Sequence, residues 1–229
     1  MNNLSIKKDE YIAKIIHDIE NPTLAQITAL ESFLTTAYSK ISQEEKDLIE
    51  LTLNSCKHMY KFIEVFNLVY RLNFEPLKLN YEKFDFVELV QDLIKELEIL
   101  IKYYELNLEL NCEEKIVIYA DKIQIKRVVE NLLSNSINYA FKNSKIKIVI
   151  NVYKNKILFK VINNSPYIES ETLKEVFDKH KIQALYNKNG VGLGLYLSKE
   201  IVNAHGGEMI ANSFPDSTCV FGFEVPVGG

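Results

Sequence analysis

The sequence predicts an α+β fold in two parts. An antiparallel helical hairpin that pairs into a dimeric four-helix bundle takes residues 1–75. A two-layer α/β sandwich with a mixed, mostly antiparallel sheet takes residues 77–229. Three observations predict this. Apolar residues recur at three- and four-residue steps through the first 75 residues, the pattern changes around Glu75-Pro76, and beyond it helices interleave with short strands that are mostly hairpin-linked.

The elements follow in order. From Tyr11 the apolar positions Ile12, Ile15, Ile16, Ile19, Ile27, Leu30 and Leu34 mark a first helix. The break comes at Ser39-Lys40-Ile41-Ser42, where Ser42 with Glu45 forms a capping box and starts a second helix. Its seam, Ile49, Leu53, Cys56, Tyr60, Ile63 and Tyr70, is close to heptad spacing; a lone hairpin leaves such a seam open and a second hairpin covers it. Glu82 to Tyr104 reads as one amphipathic helix, and Asn107–Asn111 and Ile116–Tyr119 as short strands. Asp121 caps a helix running to about Phe141. Lys145–Tyr153 and Lys156–Asn163 form a hairpin around Lys154-Asn155. A glycine-marked segment opens a helix to about Ala204, Gly206-Gly207 ends it, and strands at Glu208–Ser213 and Thr218–Val225 close the chain.

Composition narrows the function. With 47% hydrophobic and 25% charged residues in 229, the chain is an ordinary globular protein. A net charge of -4 with only two arginines, Arg71 and Arg127, argues against a nucleic-acid surface. No apolar run approaches the roughly 18 to 20 residues that span a bilayer, and the N-terminus has no apolar signal region, so a cytosolic location is expected. Cys56, Cys112 and Cys219 are widely spaced and odd in number, which fits reduced thiols better than disulfides or a metal site.

Two features carry chemistry. Arg127, Asn131, Asn135 and Tyr139 are spaced by four and share one helix face, opposite the core positions Val129, Leu133, Ile137 and Ala140. Stacked asparagines either form a solvated polar face or serve a ligand; an amide oxygen suits Mg²⁺, which takes few protein groups together with phosphates and water. Gly190-Val191-Gly192-Leu193-Gly194-Leu195 precedes a helix, where backbone amides unobstructed by β-carbons form a seat for phosphate oxygens. It matches neither the Walker pattern nor a dinucleotide fingerprint. His205, just before two glycines, reads as a helix C-terminal residue favoured by the dipole, not as a catalyst.

Continued as Tyr196-Leu197-Ser198-Lys199-Glu200-Ile201-Val202-Asn203-Ala204-His205-Gly206-Gly207, the glycine block resembles the last ATP-binding motif of the histidine kinases and their gyrase-type ATPase relatives. Asn131-Leu132-Leu133-Ser134-Asn135-Ser136-Ile137-Asn138-Tyr139-Ala140 resembles the family's asparagine box, and Glu175-Val176-Phe177 its phenylalanine box. The resemblance implies that Asn135 ligates Mg²⁺, Asn131 lies beside the phosphates, Tyr139 packs on adenine, and Gly190, Gly192, Leu193, Gly194 and Leu195 cradle ATP. It also implies a short lid from Asp178 to Asn189. The adenine-reading motif departs from the family's aspartate-x-glycine-x-glycine: it is Asn163-Asn164-Ser165-Pro166-Tyr167, with Asn163 in the reading position. Asn138 stands where the family has a lysine.

His17-Asp18-Ile19-Glu20-Asn21-Pro22 lies in the first helical pattern, which a proline interrupts at about 3 kcal/mol or kinks. Asn21 as a cap with Pro22 starting a new helix is one reading; one kinked helix, favoured by the continuing apolar period, is the other. The string resembles the family's phosphoacceptor box. That implies a catalytic set in which His17 takes the γ-phosphoryl group, Asp18 fixes the imidazole tautomer, and Asn21 orients water on the aspartyl-phosphate of a response regulator receiver domain. Glu20 replaces a usual basic residue. The expected activity is an ATP- and Mg²⁺-dependent protein histidine kinase acting as a homodimer. A phosphotransfer scaffold with a decayed ATP site and a phosphatase-dominant regulator are the competing readings. Only 16 residues precede His17, so the chain is expected to be a piece of a larger, membrane-bound or soluble, sensor or a kinase served by a separate one.

Overall fold

The computed structural model describes residues 3–37, 41–72, 74–178 and 193–228, with the backbone alone for 3–11 and 13. The chain divides into two compact units, Met1–Glu75 and Pro76–Gly229.

The first unit is two helices, α1 (Asn3–Ala37) and α2 (Gln43–Arg71). α1 runs unbroken through Pro22, so Asn21 is not a cap. Proline has no N–H to give to the Asp18 carbonyl. One residue on, buried Thr23 donates its hydroxyl to the Ile19 carbonyl at 2.8 Å. Ser42 starts α2: its Oγ accepts from Glu45 N at 3.3 Å, and Glu45 Oε2 accepts from Ser42 N at 2.7 Å. Ser42 N and, at 2.9 Å, Ser42 Oγ both donate to the Glu45 carboxylate and hold it below its ordinary pKa. Ile27, Leu53 and Cys56 form the buried seam, with Leu30, Leu34 and Tyr60 packed on it. On the outside Ile15, Ile19, Met59, Phe62 and Phe66 stay exposed, Phe62 and Phe66 stacked at 6.3 Å between ring centroids. Among the described residues no helix is long and apolar enough to cross a membrane.

The second unit begins with a correction. Glu82–Asp85 is a strand, β1, and not the start of the expected helix; α3 runs only from Phe86 to Glu96, and α4 (Glu98–Tyr103) follows after Leu97. Asp85 ends the strand because its carboxylate caps α3, accepting from Val87 N at 3.0 Å. β1 pairs antiparallel with β3 (Val117–Ala120), with Phe84 opposite Ile118. The larger sheet adds β2 (Asn107–Asn111), β4 (Lys145–Tyr153), β5 (Lys156–Asn164), β6 (Glu208–Ser213) and β7 (Thr218–Pro226) in the order β2-β4-β5-β7-β6. Only the β2–β4 pair is parallel; every other neighbour is antiparallel. Lys154 and Asn155 both have positive φ, 49° and 62°, as a two-residue hairpin matched to strand twist requires.

α5 (Lys122–Tyr139) and α7 (Leu193–Ala204) accompany the sheet, with the short α6 (Ser170–Glu175) between them in sequence. Ile125, Val128, Val129, Leu132, Leu133 and Ile137 of α5 are buried with Ile146, Ile148 and Ile150 of β4 and Phe159 of β5. Phe86, Phe159 and Phe223 pack with ring centroids 5.4 to 6.2 Å apart. α7 stops in a Schellman motif: Gly206 takes φ 72°, Gly206 N reaches Asn203 O, and Gly207 N reaches Val202 O, both at 2.9 Å. Packed on this core, α5 and α7 are rigid supports for the polar groups between them.

Candidate functional site

The α5 stripe is as spaced: Arg127, Asn131 and Asn135 are half-buried, Tyr139 is exposed, and Val129, Leu133 and Ile137 are buried on the far side. Arg127 bonds along its own helix, Nη1 donating to Gln124 Oε1 at 3.3 Å. Asn131 has a partner that the spacing did not reveal. Its Nδ2 donates to Ser198 Oγ of α7 at 3.0 Å, and Ser198 Oγ donates in turn to Gly194 O at 2.9 Å. Asn131 thus ties α5 to the first turn of α7. Ser198 is only 2% exposed, a hydroxyl set in the apolar run Leu197, Ile201, Val202. Its place four residues after Gly194, on the face of a helix that otherwise buries apolar groups, was the signal available in the sequence.

Gly194 is needed for that approach. A β-carbon there falls 2.2 Å from Asn131 Oδ1 and 2.9 Å from its Cγ. Asn135 Nδ2 lies 3.5 Å from Asn131 Oδ1, so the carboxamides are aligned in one direction, and Asn135 Oδ1 remains as the outward acceptor. Leu193 is buried and Leu195 half-buried at the helix start. Gly190, Gly192, His180 and all of the Asp178–Asn189 stretch read as the lid except Asp178 lie outside the described residues.

Asn163 sits at the C-terminal end of β5 opposite Ile146 and Cys219, 3% exposed. Its carboxamide carries both a donor and an acceptor, the pair of groups that a base edge needs. Phe141 N donates to Asn164 O at 2.9 Å, which brings the exit of α5, and with it Tyr139, to the same end of β5. Tyr167 is 48% exposed and is not folded into the core. Phe177 meets Phe221 edge-on at 6.4 Å, and Lys199 of α7 pairs with Asp178 at 3.3 Å, holding the end of α6 to the sheet and to α7.

His205 is structural, and the reason differs from the dipole. Its Nδ1–H donates to Ile201 O at 2.8 Å, and its Nε2 accepts from Asp121 N at 3.1 Å, which requires the neutral ring. Asp121 caps α5 through Gln124 N at 3.0 Å and accepts from Asn80 N at 2.9 Å. Burial lowers the His205 pKa, outweighing the opposing Ile201 hydrogen bond and Asp121 charge. Folding therefore favours the neutral form. Stability is intact above the ordinary value of about 6.5 and falls as pH drops below it, until the lower folded-state value is passed. His205→Gln is expected to cost roughly 1–3 kcal/mol at neutral pH and to flatten the decline in thermal midpoint between pH 7.5 and 5.5. Parallel curves for the two chains exclude this role.

In the first unit His17 is 68% exposed, with Asp18 Oδ1 3.5 Å from its Nδ1. That is close enough for electrostatic orientation but longer than the hydrogen bond expected. Asn21 Nδ2 is 3.3 Å from Nδ1 and 3.2 Å from Nε2. An atom equidistant from both nitrogens in the ring plane collides with the carbon between them. The amide therefore lies over the imidazole face, and both in-plane lone-pair directions stay open. Glu20, one residue before Asn21, accepts from Tyr60 Oη of α2 at 3.4 Å.

Comparison with known proteins accords with this geometry. A family model described as histidine kinase-, DNA gyrase B- and HSP90-like ATPase matches residues 120–229. The sensor histidine kinase YvrG of Bacillus subtilis is 28% identical over 212 residues, 90% of this chain and 36% of that protein. Sensor protein VanSC of Enterococcus gallinarum is 26% identical over 231 residues, 96% of this chain and 61% of that one. Residues 120–229 match that ATPase family, and the chain as a whole is similar to sensor histidine kinases. The chain spans about a third to three fifths of the length of these relatives. The nucleotide-free catalytic domain of histidine kinase ThkA superposes with a TM-score of 0.59 at 26% identity, covering 65% of this chain and 97% of that domain. Full-length ShkA in complex with AMPPNP shares the fold at 16% identity, with a TM-score of 0.76 over 95% of this chain and 45% of ShkA.

Proposed function

We propose that this chain is an ATP-dependent protein histidine autokinase of a two-component system that phosphorylates His17 and passes the phosphoryl group to an aspartate of a response regulator. The observation that carries the reading is the junction of α5 and α7. Two asparagines linked to each other meet a helix start at a glycine that admits no side chain, with a buried carboxamide, Asn163, at the end of β5. These groups fit Mg²⁺ and ATP: Asn135 Oδ1 is a hard ligand for the metal, Asn163 pairs with the adenine amino edge, and Tyr139 offers a ring face to the base. Asn131, Gly190, Gly192, Leu193, Gly194 and Leu195 form the phosphate side. Bound Mg²⁺ and ATP supply the phosphoryl group and the neutralisation of its charge.

His17 acts as the nucleophile. With Asp18 beside Nδ1, Nε2 presents the free lone pair; the Nε2–P bond forms as the bond from the γ-phosphorus to the ADP oxygen breaks, and Asp18 offsets the positive charge left on the ring. Asn21 keeps the imidazole face fixed without occupying either lone pair, and its amide is placed to orient water on the regulator's aspartyl-phosphate. Two hairpins pair through the exposed faces that carry Ile15, Ile19, Phe62 and Phe66. A Phe62→Glu/Phe66→Glu chain is expected to sediment as a monomer where the parent is a dimer.

Incubation with γ-labelled ATP and Mg²⁺ tests the kinase assignment. The expected product is a labelled chain whose label is lost in acid and kept in base, as for a phosphorus–nitrogen bond. No label on the parent defeats the assignment.

A further inference from the structure

The loop that follows Asn163 carries Ser165 and Tyr167 where the motif it resembles has glycines, and it is held in a way the proposed reaction does not by itself call for. Three side-chain links run through it. Ile168 N donates to Ser213 Oγ at 3.0 Å; Ser213 Oγ lies 3.1 Å from Cys219 Sγ; and Cys219 Sγ faces the Pro166 carbonyl at 3.8 Å. Because the Ser213 oxygen already accepts from Ile168, its own proton is free for the sulfur, and the thiol proton is then free for Pro166. The chain of donors starts on the loop at 168 and returns to it at 166, on either side of Tyr167, through two adjacent strands, β6 and β7. A fourth tie, Ser165 N to Ser217 O at 2.9 Å, fixes the loop's first residue.

Cys219 is also the register partner of Asn163, and both are buried. One side of the Asn163 position is therefore set by the residue whose thiol anchors the loop. Linked hydrogen bonds of this kind polarise one another and hold a backbone more tightly than separate ones. We propose that Ser213 and Cys219 are positioning residues for base recognition: they replace the freedom of a glycine loop with a preformed one, and so aim the Asn163 carboxamide at the adenine amino edge. The proposal rests on the ATP-site reading above. A free base edge is read by fixed donors and acceptors, and a loosened frame loses discrimination before it loses general phosphate binding.

The test is calorimetric binding of ATP and of GTP, each with Mg²⁺, to the parent chain, Ser213→Ala, Cys219→Val and Cys219→Ser. The parent is expected to prefer ATP. Ser213→Ala is expected to weaken ATP binding about five- to tenfold, to narrow the ATP-to-GTP preference by a similar factor, and to leave the labelling rate at saturating ATP within about twofold. Cys219→Val removes the second link without adding polarity and is expected to act in the same direction, while Cys219→Ser keeps a donor to Pro166 and restores the preference. General destabilisation moves the thermal midpoint but not the ratio of the two nucleotides, so the ratio separates positioning from structure. A parent that binds neither nucleotide overturns the ATP-site reading and the positioning role with it. A parent that prefers ATP while Ser213→Ala and Cys219→Val prefer it equally overturns the positioning role alone.

Discussion

In a His17→Gln chain the acid-labile label is expected to fall to background, a loss of at least about a hundredfold, because glutamine offers no nucleophilic nitrogen at that place. Nucleotide binding is expected to be unchanged, since His17 belongs to the helical unit and every proposed ATP contact belongs to the other. The comparison has an internal control. His58 also lies exposed on the hairpin, on α2, and His58→Gln is expected to keep full labelling. Asn21→Ala is a finer probe. The amide over the imidazole face blocks neither ring nitrogen, so its loss is expected to leave autophosphorylation within a few-fold while slowing removal of phosphate from the regulator. Label that persists in His17→Gln, or that vanishes in His58→Gln, places the acceptor elsewhere and ends the reading.

Much of this was open to sequence reasoning because it rests on short-range rules. The capping box at Ser42, the positive-φ pair Lys154-Asn155 and the glycine stop at Gly206 are each decided within four residues, and each stands where its local chemistry puts it. The segment 82–104 misled for the converse reason. Its apolar spacing continues through Phe84 and Phe86 as a helix would, yet β3 supplies a pairing edge from some 35 residues away, and Asp85 turns the chain from strand to helix. Tertiary pairing outweighs a propensity that differs by only a few tenths of a kcal/mol per residue. The site divides along the same line. Spacing placed Asn131 and Asn135 on one face, whereas the Asn131 bond to Ser198 spans 67 residues and the loop's tie to Ser213 spans 45, and no local pattern encodes either. His205 shows how position can suggest the wrong cause. A histidine at a helix C-terminus invites a dipole argument, but burial against Asp121 and Ile201 makes the neutral ring the stable one.

The second large effect is expected at Gly194, where two terms of opposite sign meet. In a helix interior alanine is favoured over glycine by about 1 kcal/mol; Gly194 lies in the first turn of α7, so that figure is the most that propensity can add to Gly194→Ala. Against this stands the 2.2 Å approach of the new methyl to Asn131 Oδ1, with the Asn131 Cγ at 2.9 Å. Asn131 has to rotate away and give up its bond to Ser198, or α5 and α7 have to separate. Overpacking of this kind costs typically 1–3 kcal/mol, and the lost hydrogen bond about 1 kcal/mol more, so the clash wins. Gly194→Ala is therefore expected to lower the thermal midpoint by several degrees and to weaken ATP binding at least tenfold. Adding Asn131→Ala removes the atoms that collide, so the double variant is expected to regain most of the lost stability and none of the lost nucleotide affinity. That split is what a site role for Asn131 requires. If the double variant recovers ATP binding along with its stability, Asn131 serves only to pack the two helices, and the phosphate side of the site has to be sought in other residues.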